Sequence, residues 1–386
     1  GNRNNSRCGW KVNGLQLVVD YWRVAVMFAI GGVLIYLAVK KEYEPTLLLP
    51  IGFGAILTNI PGSSAIGEHG FLTVLYRAGI ENELFPILIF IAVGAMIDFG
   101  PLLRRPFMLF FGAAAQFGIF ATLMAGLYVG KLHGIASFIP AFTLKQAASI
   151  GIIGAADGPT SIYVSGLFAP ELLGPITVAA YSYMSLVPLV QPPVIRLLTT
   201  PEERRIHMEY QEFKVSKTVR VLFPIMVTLI AGIMAPISVG LIGSLMLGNL
   251  LRESGVVDRL SKSAQNELAN IVTLFLGIAI GSTMVAERFL QPSTLFIILM
   301  GLVAFIFDTA GGVLFAKALN LFLKRKVNPM IGAAGISAFP MSARVIHKMG
   351  IEEDPTNYLL MHAVGANVAG QVGSIIAGAM ILALIH

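Results

Sequence analysis

The reading turns on Ile153-Gly-Ala-Ala-Asp157, followed by Gly158 and Pro159, and on its near copy Ile331-Gly-Ala-Ala-Gly335, followed by Pro340. Both stand in apolar sequence, and Gly and Pro break a helix wherever they fall inside one. A second matched pair lies upstream: Ala92-Val-Gly94 with Pro106, and Ala279-Ile-Gly281 with Pro292. Partners in each pair lie roughly 180 residues apart, a recurrence that marks a duplicated unit. The chain therefore divides into a polar N-terminal segment (1–23), first spans and a connector (24–82), repeat 1 (83–195), loops with linking spans (196–267) and repeat 2 (268–386).

Working outward, 56% of the 386 residues are hydrophobic, 12% are charged and the mean hydropathy is +0.78. A soluble domain carries about 25% charged residues. The pattern is that of an all-α polytopic membrane protein, and it excludes a cytosolic enzyme, a secreted disulfide scaffold and a DNA-binding module. The single cysteine, Cys8, excludes an internal disulfide and a Cys-rich metal site. The net charge of +6 reads as cytoplasmic loops, not as a nucleic-acid surface.

Apolar spans are expected at 24–39, 46–60, 84–99, 107–130, 172–195, 221–235, 239–251, 271–285, 295–323 and 358–385, with broken segments at 144–166 and 328–344. If both broken segments are re-entrant, every strong basic cluster falls on one side, as the positive-inside rule requires. These include Lys40/Lys41, Arg104/Arg105, the 196–220 loop, Arg252 to Lys262, Lys324 to Lys326 and Arg344/Lys348. Both termini then lie outside, and repeat 2 is inverted relative to repeat 1. Interrupted segments at matching places in two inverted halves point to a transporter's binding site.

Asp157 is the sharpest candidate, because an ionisable group at membrane depth is costly unless it faces a cavity or a partner. Thr160 and Ser161 offer hydroxyls beside it, and the unwound backbone frees carbonyls, a donor set suited to a hard cation such as sodium. The alternative is that Asp157 merely caps the helix after Pro159. The second segment offers neutral oxygens on Asn328, Ser337 and Ser342. Arg344 follows at its mouth, either as a clamp for a carboxylate-bearing ligand or as an ordinary cytoplasmic arginine. In the last span of each repeat stand Tyr181, Ser182 and Tyr183, and His362, Asn367 and Gln371; tyrosines in such spans are more often packing residues. Asp308 is a second membrane carboxylate and a weaker site candidate. No Walker A, HExxH or GxSxG sequence appears. On residues alone the chain is an ion-coupled transporter or pump component.

Gly151-Ile-Ile-Gly-Ala-Ala-Asp-Gly-Pro-Thr-Ser-Ile-Tyr163, Ala169-Pro-Glu-Leu-Leu-Gly174, Ala179-Ala-Tyr-Ser-Tyr-Met184, Gly248-Asn-Leu-Leu-Arg-Glu-Ser-Gly-Val-Val257, Asn328-Pro-Met-Ile-Gly332 and Asn367-Val-Ala-Gly370 resemble the β subunit of the biotin-dependent sodium-pumping decarboxylases. That family includes the oxaloacetate, methylmalonyl-CoA, glutaconyl-CoA and malonate decarboxylases. The resemblance implies decarboxylation of carboxybiotin borne on a biotin carrier protein, with sodium moved outward and a proton consumed. It implies a carboxyltransferase α subunit, a small membrane γ-type subunit, a homotrimer, an elevator-transporter-like fold and a bacterial or archaeal cytoplasmic membrane. The family's functional residues fall on Asp157, Tyr183, Asn328, Gly332, Ser337, Arg344 and Asn367. Sodium is expected at Asp157 with oxygens from Asn328, Gly332, Ser337 and Asn367, carboxybiotin at Arg344, and the last proton donor at Tyr183. Asp308 receives no role. The connector after Ile60 is shorter than in the oxaloacetate enzymes, which points to an acyl-CoA or malonyl-type complex. The competing function is a stand-alone sodium-coupled organic-anion transporter.

Overall fold

A computed structural model describes residues 14–132, 140–208, 215–234, 236–338 and 340–385, so the expected polar segment 1–23 lies largely outside the described residues. Among the described residues every regular element is helical. The first half holds α1 (Gly14–Lys41), α2 (Pro45–Asn59), α3 (Leu84–Met96), α4 (Met108–Ala114), α5 (Phe117–Leu132), α6 (Leu144–Gly151), α7 (Gly158–Phe168), α8 (Leu173–Ser185) and α9 (Val187–Leu198). The second half holds α10 (Lys217–Met234), α11 (Val239–Ser254), α12 (Ala269–Gly281), α13 (Pro292–Leu319), α14 (Met330–Ala333), α15 (Met341–Glu353) and α16 (Leu360–Ile385).

Among the described residues five helical stretches are long and apolar enough to cross a membrane: Trp22–Lys41, Met108–Gly130, Asp258–Gly281, Pro292–Leu319 and Leu360–Ile385. Two bent pairs add to them, Phe71–Glu81 with Leu84–Met96 at 61° and Pro170–Met184 with Val187–Leu198 at 67°. These account for most of the expected spans, and the protein is a polytopic helical membrane protein. Within its helices the backbone donors and acceptors pair with one another, as a hydrocarbon surrounding demands.

With lipid no less apolar than leucine, close backbone approach at small residues holds such helices together. α3 packs on α11, where Gly94 faces the Leu245 carbonyl and Gly248 that of Ile91. α2 packs on α12, where a side-chain carbon on Gly281 would lie 2.7 Å from the Ile51 carbonyl oxygen. An asparagine fastens each pair. Asn249 donates to the carbonyl of Ile97 at 3.0 Å, and Asn59 donates to that of Met284 at 2.7 Å. Ile97 and Met284 each stand three residues beyond Gly94 and Gly281, and a π-turn precedes each helix at matching positions, Arg77–Glu81 and Ala264–Leu268.

The broken segments are hairpins. At the base of the first, Gln146 bonds Glu171 at 2.8 Å and the Lys145 ammonium lies 5.3 Å from the Phe168 ring centre, so α6 and α7 leave and return at one place. At the base of the second, Arg204 is the meeting point: its carbonyl accepts from Asn328 at 2.7 Å, and its guanidinium pairs with Glu353 at 2.5 Å. α8 and α9 run from the first base to the second, about 30 Å even with their bend. The two hairpin bases are therefore set apart by the length of that run. Arg105, Arg196, Arg204 and Lys317 all gather at the second base, through His362, Glu352, Glu353 and Glu203 respectively.

Candidate functional site

The two hairpin tips meet in the buried centre. In the first, α6 tightens into a 3-10 turn, Ile152–Ala155, and then Ala156 takes a left-handed conformation with φ 51°. That reversal ends the helix, leaves Asp157 extended, and lets Gly158 and Pro159 begin α7. In the second tip, Ser337 donates both its amide, at 3.2 Å, and its hydroxyl to the carbonyl of Ala155. One carbonyl of the first hairpin thus latches the second.

Asp157 is buried. Its Oδ2 accepts from the Thr160 hydroxyl at 2.5 Å and from the Ser374 hydroxyl at 3.0 Å, and it forms no salt bridge among the described residues. Ser161 turns the other way, donating to the Asp157 carbonyl at 2.9 Å. The carboxyl group is therefore faced by hydroxyl and backbone amide dipoles and by no cationic side chain among the described residues, an arrangement a bound cation would complete. The side-chain donors and acceptors are all hard oxygens, which fits sodium and would not hold a soft metal.

α16 ties both tips together with one face. Asn367 donates to the Ile336 and Ala334 carbonyls at 2.6 and 3.2 Å, and Gln371 donates to the Ser337 carbonyl. Ser374 then reaches Asp157, and Gly378 abuts Thr160. Asn367, Gln371, Ser374 and Gly378 follow helical spacing, so a single stripe reads from the second tip to the first. The Asn367 Oδ1 is buried with no hydrogen-bond partner among the described residues, beside the tips.

The other sequence candidates lie outside this hydrogen-bond set. Gly332 packs backbone to backbone on Gly312 of α13, and Gly335 on Phe111 of α4, which seats the second tip. Asn328 is a fastener at the hairpin base: its amide donates to the Arg204 and Ile206 carbonyls and its oxygen accepts from Met330. Tyr183 donates its hydroxyl to the Ile298 carbonyl, and its ring lies against Gly301 of α13. The ring beside Asp157 is that of Tyr181, seated where a side chain on Gly158 would be. Ser182 is half-buried and takes no part in this hydrogen-bond set. Arg344 is exposed in the first turn of α15 and has no salt-bridge partner among the described residues. It stands nine residues before Glu353, so it lies about 13 Å deeper than the base of its hairpin. Outside the spans, Thr356 holds the Asp354 carboxyl below the usual carboxylate range, keeping the turn after α15 anionic.

Sequence reasoning passed over two residues. Ser374, one of the two side chains bonded to Asp157, could have been found from its spacing after Asn367 and Gln371. Gln191 of α9 bonds the Ala333 carbonyl at 2.8 Å and Ser342 at 2.9 Å, bracing both arms of the second hairpin. A buried amide within an apolar span was its signal.

Residues 23–385 match the family model of the Na+-transporting oxaloacetate decarboxylase beta subunit. The chain belongs to that family. The methylmalonyl-CoA decarboxylase subunit beta of Veillonella parvula is 52% identical over 361 residues, covering 94% of this chain and 93% of the relative. The glutaconyl-CoA decarboxylase subunit beta of Acidaminococcus fermentans is 50% identical over 364 residues, 94% of each chain. The oxaloacetate decarboxylase beta chain 2 of Salmonella typhi is 47% identical over 413 residues, 93% of this chain and 94% of the relative. These relatives favour a decarboxylase-linked sodium transporter over the stand-alone organic-anion transporter.

Proposed function

We propose that this chain decarboxylates carboxybiotin presented by a biotin carrier protein and couples that reaction to sodium export with uptake of one proton. The observation that carries this is the buried Asp157 carboxylate, faced by hydroxyls and no cationic side chain, in a β subunit of the sodium-transporting decarboxylases. Sodium is the cargo. It binds Asp157 with neutral oxygens from the hairpin tips, Asn367 and Ser337 among them, and offsets the buried charge. Gly332 contributes by seating the tip and Asn328 by holding the hairpin base.

Arg344, exposed and without an ion partner, receives the substrate carboxylate through paired N–H donors. Carboxybiotin supplies the reacting group: its N–COO⁻ bond breaks, CO2 leaves with its carbon, and the ureido nitrogen takes one proton. Tyr183 is the proposed last donor of that proton, which requires its hydroxyl to turn from the Ile298 carbonyl and later to be reprotonated from outside. Coupling needs sodium-loaded and sodium-free tips to favour opposite-facing states.

The proposed architecture is a pair of inverted repeats, 83–195 and 268–386, moving elevator-fashion against a frame. Separate hairpin bases and the mirrored α2/α12 and α3/α11 contacts support it. The proposed setting is a homotrimer in a bacterial cytoplasmic membrane, with carboxyltransferase α and small γ-type subunits. An acyl-CoA or malonyl-type acid is the proposed origin of the carboxyl group. The Salmonella alignment needs 413 positions to cover 93% of this chain, whereas the Veillonella alignment covers 94% in 361, which supports that choice.

Sodium uptake into proteoliposomes holding the assembled complex tests the reading. Carboxylated carrier is expected to drive uptake in the native complex and to fail in Asp157→Asn, a loss of at least a hundredfold. Uptake that persists in Asp157→Asn, or anion exchange by the chain alone, sinks it.

A further inference from the structure

Outside the site, Asp308 of α13 is packed tight, with Gly118 and Gly154 against its carboxyl oxygens. Open space lies instead beside the base of the second hairpin, in a cavity of about 490 Å³. Its cations come from three separate stretches: Arg105 ahead of α4, His207 in the basic loop, and Arg325 with Lys326 in the turn after α13. Phe107 and Val327 form part of an apolar wall, and no acidic side chain lines the cavity among the described residues. Arg105 also lies 3.1 Å from the His362 Nδ1. Arg325 and Lys326 are exposed and form no salt bridge among the described residues.

Three asparagines fix the walls. Asn320 accepts from the Val327 amide at 2.8 Å and donates to the Val327 carbonyl at 2.7 Å, which closes the turn that carries Arg325 and Lys326. Asn328 and Asn357 donate to the Ile206 carbonyl at 3.0 and 2.9 Å, and the His207 Nε2 lies 3.2 Å from the Thr356 carbonyl oxygen. Cations held on such a frame lose less freedom on meeting an anion than the same charges on a loose loop.

The level of the cavity selects the anion. Arg105 stands three residues before the apolar stretch Met108–Gly130, and Arg325 six residues after the apolar stretch Pro292–Leu319. The cavity thus lies where two candidate spans reach the membrane surface, at the depth of lipid phosphates. The same two segments present bare apolar side chains: Phe322 is 85% exposed, Leu321 82% and Phe110 63%. Arginine pairs phosphate oxygens through parallel N–H donors and lysine adds a point charge, and basic pockets between membrane helices are a recurring seat for lipid head groups. An acidic protein surface would use the cations but not the apolar flank.

We propose that this cavity binds the phosphate head group of an anionic phospholipid, with Arg105, Arg325 and Lys326 on the phosphate oxygens and the acyl chains along Phe110, Leu321 and Phe322. The lipid then ties the start of α4 to the base of the second hairpin, because Val327 directly precedes Asn328. The inference does not depend on the sodium or carboxybiotin reading.

The test is phospholipid binding to the purified, delipidated complex in neutral detergent, read by native mass spectrometry and by melting temperature as cardiolipin, phosphatidylglycerol or phosphatidylcholine is added. The native complex is expected to bind both anionic lipids at least tenfold more tightly than phosphatidylcholine and to melt higher with them. Arg325→Gln combined with Lys326→Gln is expected to abolish that preference. Both side chains are exposed, so the lipid-free melting temperature should stay native. Lys324→Gln, an exposed neighbour outside the cavity lining, should change anionic-lipid affinity less than twofold. An intact preference in the double variant overturns the proposal, and so does an equal loss in Lys324→Gln, which would mean general surface charge. Inorganic phosphate is the second arm: if it raises the melting temperature as much as the lipids do at equal concentration, the site takes free phosphate and the lipid assignment falls. A double variant that keeps its lipids but loses affinity for the carrier protein would make the cavity a protein dock and overturn it likewise.

Discussion

The two hairpins share a tip sequence but turn differently, through left-handed Ala156 in the first and with no left-handed residue among the described residues of the second, and their side chains are divided. The first ends in Asp157 where the second has Gly335, so the fixed negative charge sits on one tip alone. The fourth residue of the outgoing arm is Ser161 in the first, buried and bonded back to its own tip, and Arg344 in the second, exposed and unpaired. On the proposed reading, these single-residue differences make the first hairpin the cation holder and the second the anion receiver. The Ser337 to Ala155 bonds join the two tips directly.

That division can be broken from either side. Arg344→Gln is expected to raise the KM for carboxylated carrier at least tenfold while equilibrium sodium affinity stays within twofold. A loss of sodium affinity instead would mean that the hairpins do not divide the labour. Next in size, Asn367→Ala removes two bonds to carbonyls of the second tip and leaves those acceptors buried and unmet, a cost of about 1–3 kcal/mol. The expected result is a sodium affinity some ten- to a hundredfold weaker, read by titration calorimetry, with the carrier KM little altered. Ser374→Ala removes one of two hydroxyls on Asp157, and its effect on sodium affinity should be the smallest, about three- to tenfold.

Much of this comparison was legible in the sequence because a carboxylate and clustered helix breakers in apolar surroundings have few bland explanations. Asp157, its Thr160 partner and the paired broken segments were readable on that ground. The rest needed directions that a linear pattern does not hold. Tyr181 and Tyr183 are two positions apart, roughly 200° around a helix, and nothing in the sequence told which ring faces the tip. Asn328 lies beside a break, as an ion ligand would, yet it bonds to the basic loop at the hairpin base. Ser374 went unnoticed because serine is common in membrane helices, where its hydroxyl can return to its own backbone.

The contact between Gly312 and Gly332 has a consequence for how this family can diverge. A methyl group on either residue would run into the carbonyl of the other, so neither position offers a tolerated first step. Paired drift is closed as well, since two larger residues would force α13 and the second hairpin further apart. Lipid gives no greasy substitute for the lost fit, because apolar side chains gain little by leaving one hydrocarbon surface for another. Lineages can exchange the acid that feeds the complex, lengthen a connector or recolour the lipid-facing surface. In this chain the seam between helix and hairpin admits no side chain at either glycine without moving one element off the other.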